Sequence, residues 1–168
     1  AGLWRHAGAD FFLDVGPVPG HGPVFTAALL VPAQAGDGGL VDARRRRALG
    51  EALRAQTHGL ILLAADDPVL AEILHGLHLP EIRARDAAHW RVLRPHWVIT
   101  VAAHGPRGLH APYADAALLS PVFATKSHPQ AKNLNPARAR LMARHASLPV
   151  LALGGVTARN AALLPGFS

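Results

Sequence analysis

From about residue 60 onward, short apolar runs alternate with segments that read as helices. The runs occupy 59–64, 76–79, 97–102, 116–123 and 149–153. Each is too short for an ordinary helix and continuously apolar instead of alternating. That is the pattern of a strand covered on both faces in a parallel sheet. Between the runs, Asn135 before Pro136 marks a helix start: a side-chain cap, then a proline whose missing N–H costs nothing there. Ala137, Leu141 and His145 then share one face, with Leu148 beyond. Thr157 is placed to cap a further helix through Leu164. Residues 42–56 read as a helix with Leu49, Ala52 and Leu53 facing inward. Asp67 and Pro68 open another through Leu74. Strand and helix alternate repeatedly, so the class is α/β with a parallel sheet.

The first 40 residues read differently. Residues 11–15 and 24–31 have strand character. The stretch 16–23 is too rich in glycine and proline for a helix and reads as a loop. The pattern predicts about seven strands, against the eight of a complete barrel, which usually takes about 250 residues. The chain also stops shortly after the seventh. The expectation is one domain over residues 1–168, of (β/α)8 TIM-barrel type, incomplete because part of the native chain is absent from this sequence.

Charge and composition narrow the function classes. The chain has 168 residues, half of them hydrophobic, and a net charge of +6. There is no cysteine, which excludes disulfides and thiolate metal sites and fits a reducing cytoplasm. No apolar run reaches the roughly 18 residues of a membrane span, and the N-terminus lacks a signal-peptide pattern. Arg44 to Arg47 first suggests nucleic acid, but consecutive positions point around a helix. No aromatic residues interleave for base stacking. A solvated helix face, with Arg47 near Glu51, is the better reading, and neither nucleic acid nor membrane is expected as a partner.

The two lysines, Lys126 and Lys132, sit in one loop. That loop also carries Ser120, Thr125, Ser127 and His128, residue types that bind phosphate through hydroxyl donors and positive charge. An ordinary solvated loop is the alternative. Gly154 and Gly155 leave an apolar strand before a helix-like segment. With no side chains in the way, a phosphate can approach the backbone, and a helix start supplies free N–H groups. A plain turn doublet is the alternative.

Three segments together resemble the thiamine phosphate synthase/TenI family. Residues 116–129 are similar to its sixth strand, with Ser120-Pro121-Val122-Phe123 leading into a loop bearing Thr and Lys. Residues 149–156, followed by Asn160-Ala161, are similar to its seventh strand and phosphate-binding turn. Gly76-Leu77-His78-Leu79 resembles its fourth strand. The likeness covers about residues 58–164, in the family's order and spacing.

The resemblance implies a phosphate site at Gly154 and Gly155 and a pyrophosphate site on the 120–132 loop. The family's loop lysine aligns with His128, with Lys126 two residues earlier. It implies magnesium on Asp66, although Asp66-Asp67-Pro68 is also an ordinary helix start. The neighbouring asparagine is Ala65 here. The family's second metal aspartate is absent, and Glu81 is the nearest carboxylate to replace it. His104 ends the fifth strand where the family has Ser-x-His; Ala102 replaces that serine, leaving His104 to orient a loop or transfer protons. The family's strand-two arginine has no counterpart in residues 24–31.

The implied function is transfer of a hydroxymethylpyrimidine diphosphate onto a thiazole phosphate with release of pyrophosphate, in a cytoplasmic enzyme of phosphorylated small molecules that forms a homo-oligomer. Two alternatives stay open. One is a TenI-like thiazole tautomerase, against which Pro121 stands where that relative carries a histidine. The other is a non-catalytic barrel binding a phosphorylated ligand, which the surviving glycine turn and the lost metal-end residues suit.

Overall fold

The computed structural model describes residues 27–30, 47–48, 51, 55, 60–63, 75–124 and 132–167. The chain divides into two compact units, Ala1–His78 and Leu79–Ser168.

In the first unit, β1 (Ala27–Leu30) pairs in parallel with β2 (Leu60–Leu63), Ala27 opposite Leu60. In turn, β2 pairs in parallel with β3 (Gly76–Leu79), Leu62 opposite Gly76. All four residues of β3 are buried, as its unbroken apolar run predicts. Residues 47, 48, 51 and 55 are helical, and Arg47 donates to Glu51 Oε1 at 3.0 Å across one turn. The strand expected at 11–15, the helix from Asp67 and the inward residues Leu49, Ala52 and Leu53 lie outside the described residues.

The second unit contains α1 (Asp86–Leu93), β4 (Val98–Ala103), α2 (Pro106–Leu109), β5 (Ala116–Leu119), α3 (Pro136–Arg144) and β6 (Val150–Ala152). Here β4 pairs in parallel with β5, and β5 with β6. The apolar runs at 97, 116 and 149 therefore become adjacent parallel strands. Ile99, Val101, Leu119 and Val122 are fully buried, each contributing about 1.5–3 kcal/mol of hydrophobic stabilisation. Leu109, Leu134, Ala139, Val150 and Leu164 complete the core around β5.

Three expectations are corrected. The run at 116–123 is strand only to Leu119, because Pro121 has no N–H for the ladder. The helix from Asn135 forms as predicted, with Asn135 Oδ1 accepting the Arg138 amide at 3.0 Å. Its buried face, however, is not the one through Ala137, Leu141 and His145, which are exposed. Ala139 is fully buried, and Met142, Ala143 and Ala146 follow it into the core at helical spacing. Finally, Thr157 starts a turn instead of a helix. Only a 3-10 turn forms, at Ala161–Leu163, before Pro165 and Gly166. Conversely, α1 was not anticipated. Its one fully buried residue is Ala87, while Val92 is 80% exposed, so no apolar stripe marks it in the sequence.

At the amino ends of β4 and β5, the Arg91 guanidinium donates to the carbonyls of Pro95 and Trp97 at 2.8 and 2.9 Å and to Asp115 Oδ2 at 2.6 Å. Asp115 Oδ2 also accepts the Ile99 amide at 2.7 Å. Trp90 stacks on Trp97 beside this clamp, ring centroids 5.7 Å apart.

Candidate functional site

The loops leaving β4, β5 and β6 are stitched together at the carboxyl ends of the strands. The Ser120 amide donates to Ala103 at 3.0 Å, and the Leu153 amide donates to Leu119 at 2.9 Å. Beyond the strands, Val122 donates to Leu153 at 2.9 Å and Phe123 to Gly154 at 3.0 Å. His104, Ser120 and the glycine doublet therefore share one edge of the second unit.

Both glycines are required by their positions. Gly154 has φ +88° and Gly155 φ +65°, where a side chain is strained. A Cβ on Gly154 would lie 2.8 Å from Pro121 Cα, and one on Gly155 would collide with the Ala124 carbonyl oxygen. Asn160 fastens the turn. Its Nδ2 donates to the Gly155 carbonyl at 2.9 Å, and its Oδ1 accepts the Thr157 amide at 2.6 Å. The amides of Gly154, Gly155 and Val156 have no hydrogen-bond partner among the described residues. Successive unpartnered amides in a left-handed turn suit an anion such as phosphate. The donors belong to the turn itself and not, as expected, to the start of a following helix.

His104 Nδ1 lies 2.8 Å from the Ser120 carbonyl oxygen. A carbonyl only accepts, so Nδ1 carries the hydrogen and Nε2 of the neutral ring keeps its lone pair. The side chain is exposed, so Nε2 is open to a ligand. Ser120 Oγ sits 3.5 Å from the same Nδ1.

Glu81 has a role the sequence did not reveal. Its Oε1 accepts the amides of Gly105 and Gly108, each at 3.1 Å, and its Oε2 accepts the His104 amide at 3.2 Å. The carboxylate thus braces the whole turn after β4. A cleft of about 350 Å³ opens beside it, lined by Glu81, Ile82, Gly105, Pro106 and Arg107.

Thr125, Lys126, Ser127 and His128, and likewise Asp66, lie outside the described residues. The residues flanking that loop segment are anchored on the same edge: Ala124 lies against Gly155, and the Leu134 amide donates to Pro121 at 2.9 Å. Of the candidates within the described residues, His104 and Ser120 come together directly, Gly154 and Gly155 join them through the β5 loop, and Glu81 reaches His104 through its backbone. Asn160 was noted in the sequence without a role. Its place three residues after Thr157 is the signal for a side chain folding back on a turn.

Parallel strands joined through helices, with donor groups gathered at their carboxyl ends, define an α/β protein. The chain belongs to the thiamine monophosphate synthase family, whose model matches residues 38–165. A protein of Aquifex aeolicus (strain VF5), provisionally named thiamine-phosphate synthase 2, is 34% identical over 96 residues. That match takes in 54% of this chain and 50% of the relative, so the chain spans about half the length of the curated relative it matches. The fold is similar to that of the thiamine phosphate pyrophosphorylase from Pyrococcus furiosus, with a TM-score of 0.61 at 19% identity, covering 82% of this chain and 66% of that one. Among the described residues, no helix is long and apolar enough to cross a membrane.

Proposed function

We propose that this protein is a thiamine phosphate synthase-like transferase, joining a hydroxymethylpyrimidine diphosphate to a thiazole phosphate. The observation that carries this reading is the glycine turn, whose backbone only glycine adopts without strain. It offers three amides with no partner among the described residues, and Gly154 and Gly155 pack against Pro121–Ala124, the segment that leads into the lysine-bearing stretch. In the reaction, the pyrimidine methylene–oxygen bond breaks and its electron pair leaves with pyrophosphate. The thiazole nitrogen then supplies the pair for the new carbon–nitrogen bond. The amides of residues 154–156 hold the thiazole phosphate. Lys126, His128 and the hydroxyls of Thr125, Ser127 and Ser120 steady the departing pyrophosphate, where charge stabilisation matters most. His104 Nε2, which keeps its lone pair, accepts a hydrogen bond from a substrate.

Bound magnesium would neutralise pyrophosphate charge. No group of three metal-binding side chains occurs among the described residues, and Glu81 is engaged with three backbone amides. Of the two carboxylates implied for the ion, Glu81 is thus taken up by the turn after β4 and Asp66 lies outside the described residues, so no step is assigned to the ion. Its proposal rests on Asp66 and the family's chemistry. A cytoplasmic location accords with the absence of cysteine, and assembly into a homo-oligomer belongs to the same reading.

The test is pyrophosphate release from the two substrates, with and without magnesium, alongside calorimetry with thiazole phosphate. Magnesium-dependent release, lost in a Lys126→Ala/His128→Ala double variant that still binds thiazole phosphate, supports the transferase. Metal-independent aromatisation of the thiazole would replace it with a tautomerase. Tight binding without turnover would replace it with a non-catalytic phosphate binder.

A further inference from the structure

We propose that Glu81 is a positioning residue for His104, acting through the backbone of the turn that follows β4. The proposal deepens the reading above, because it takes His104 as part of that site.

The turn from His104 to Gly108 contains three amides that all end on one carboxylate. Apart from the His104 ring on the Ser120 carbonyl, little else restrains its first residues. His104, Pro106 and Arg107 are exposed, and the cleft beside them leaves room to move. The helix α2 has four residues, too short to hold its own start in place. Gly108, by contrast, is packed on Ala102 and Ala103. The His104 end of the turn therefore depends on Glu81 more than the Gly108 end does.

The two oxygens divide the work. Oε1 serves Gly105 and Gly108, while Oε2 serves His104 alone. His104 is thus held at two points, its amide on Glu81 and its Nδ1 on the Ser120 carbonyl. Together they fix where the ring sits and which nitrogen is left open. Bonds to an ionised acceptor are the stronger kind, which suits a brace on an exposed turn.

An isosteric change separates the two oxygens. In Glu81→Gln, the remaining carbonyl oxygen best replaces Oε1, which has two donors. The new NH2 group then faces the His104 amide, donor against donor. Amide exchange at His104, Gly105 and Gly108 and the 15N shifts of the His104 ring, measured where the ring is neutral, read this directly. Glu81→Gln is expected to speed exchange at His104 about tenfold, to leave Gly105 and Gly108 nearly unchanged, and to erode the preference for hydrogen on Nδ1. Glu81→Ala is expected to speed all three. In turnover, Glu81→Gln should lower kcat about tenfold with little change in KM.

Unchanged His104 exchange and ring shifts in a folded Glu81→Gln protein would overturn the proposal. So would the reverse pattern, with only the glycine amides affected. Loss of the three amide bonds on adding magnesium to the unaltered protein would overturn it too, by making Glu81 a metal ligand. Absence of turnover in the unaltered protein sinks the transferase reading alone, since the spectroscopic results stand without it.

Discussion

Asn160 closes the glycine turn onto itself, giving one hydrogen to the Gly155 carbonyl and taking one from the Thr157 amide, at 2.9 and 2.6 Å. Replacing it by aspartate keeps the acceptor and removes the donor, placing a carboxylate oxygen beside a carbonyl. We expect Asn160→Asp to cost about 1–2 kcal/mol in urea unfolding. Thiazole phosphate affinity should fall roughly tenfold by calorimetry. Equal affinity in the variant would separate Asn160 from the phosphate turn.

Gly155 leaves no space for a methyl group, because the Ala124 carbonyl and the Phe123 Cβ already occupy it. Its φ of +65° adds strain for any other residue. Gly155→Ala should destabilise the protein by about 1–3 kcal/mol. Since the obstruction is the segment entering the 125–131 loop, the same change should weaken phosphate binding. Phosphate affinity equal to that of the unaltered protein would show that the turn does not hold the ligand.

Much of the sheet was legible because buried parallel strands leave unbroken apolar runs: 76–79 became β3 without a residue's change. The Asn135 cap was legible for a similar reason, since it needs only neighbouring residues. What the pattern hid depends on contacts between distant positions. Glu81 reads as a possible metal ligand, and nothing in the sequence tells that its oxygens accept amides 23 to 27 residues away. The inward face of α3 was misread because Leu141 looks like a core residue and Ala139 does not. A small side chain lets the helix sit close to the core, and that is a property of the packing. The helix α1 stayed hidden because it buries so little.

The two faces of α3 can be told apart by substitution. Leu141 is 58% exposed, so Leu141→Glu should change stability by no more than about 0.5 kcal/mol. Ala139 is fully enclosed, so Ala139→Leu should cost about 1–3 kcal/mol. Chemical denaturation of both variants decides it, and the opposite ranking would rotate the helix.

Arg91 lies at the other end of the strands from His104 and holds the carbonyls of Pro95 and Trp97, both just before the start of β4. Lysine keeps the charge but lacks the planar fork that reaches Pro95, Trp97 and Asp115 at once. Arg91→Lys should lower the unfolding free energy by about 1–2 kcal/mol. Turnover per folded molecule should be unaffected, since no candidate site residue sits there. A variant with normal stability and impaired turnover would contradict this division of labour.

Gly108 rests so close to β4 that a Cβ would come within 2.5 Å of the Ala102 carbonyl oxygen and 2.8 Å of Ala103. The constraint is mutual, for a bulkier residue at 103 would lift the same helix. Anyone redesigning this protein for a different substrate therefore meets a rim with one immovable corner. Variety can be introduced at Pro106 and Arg107, which border open space, but the 103–108 contact must be inherited intact.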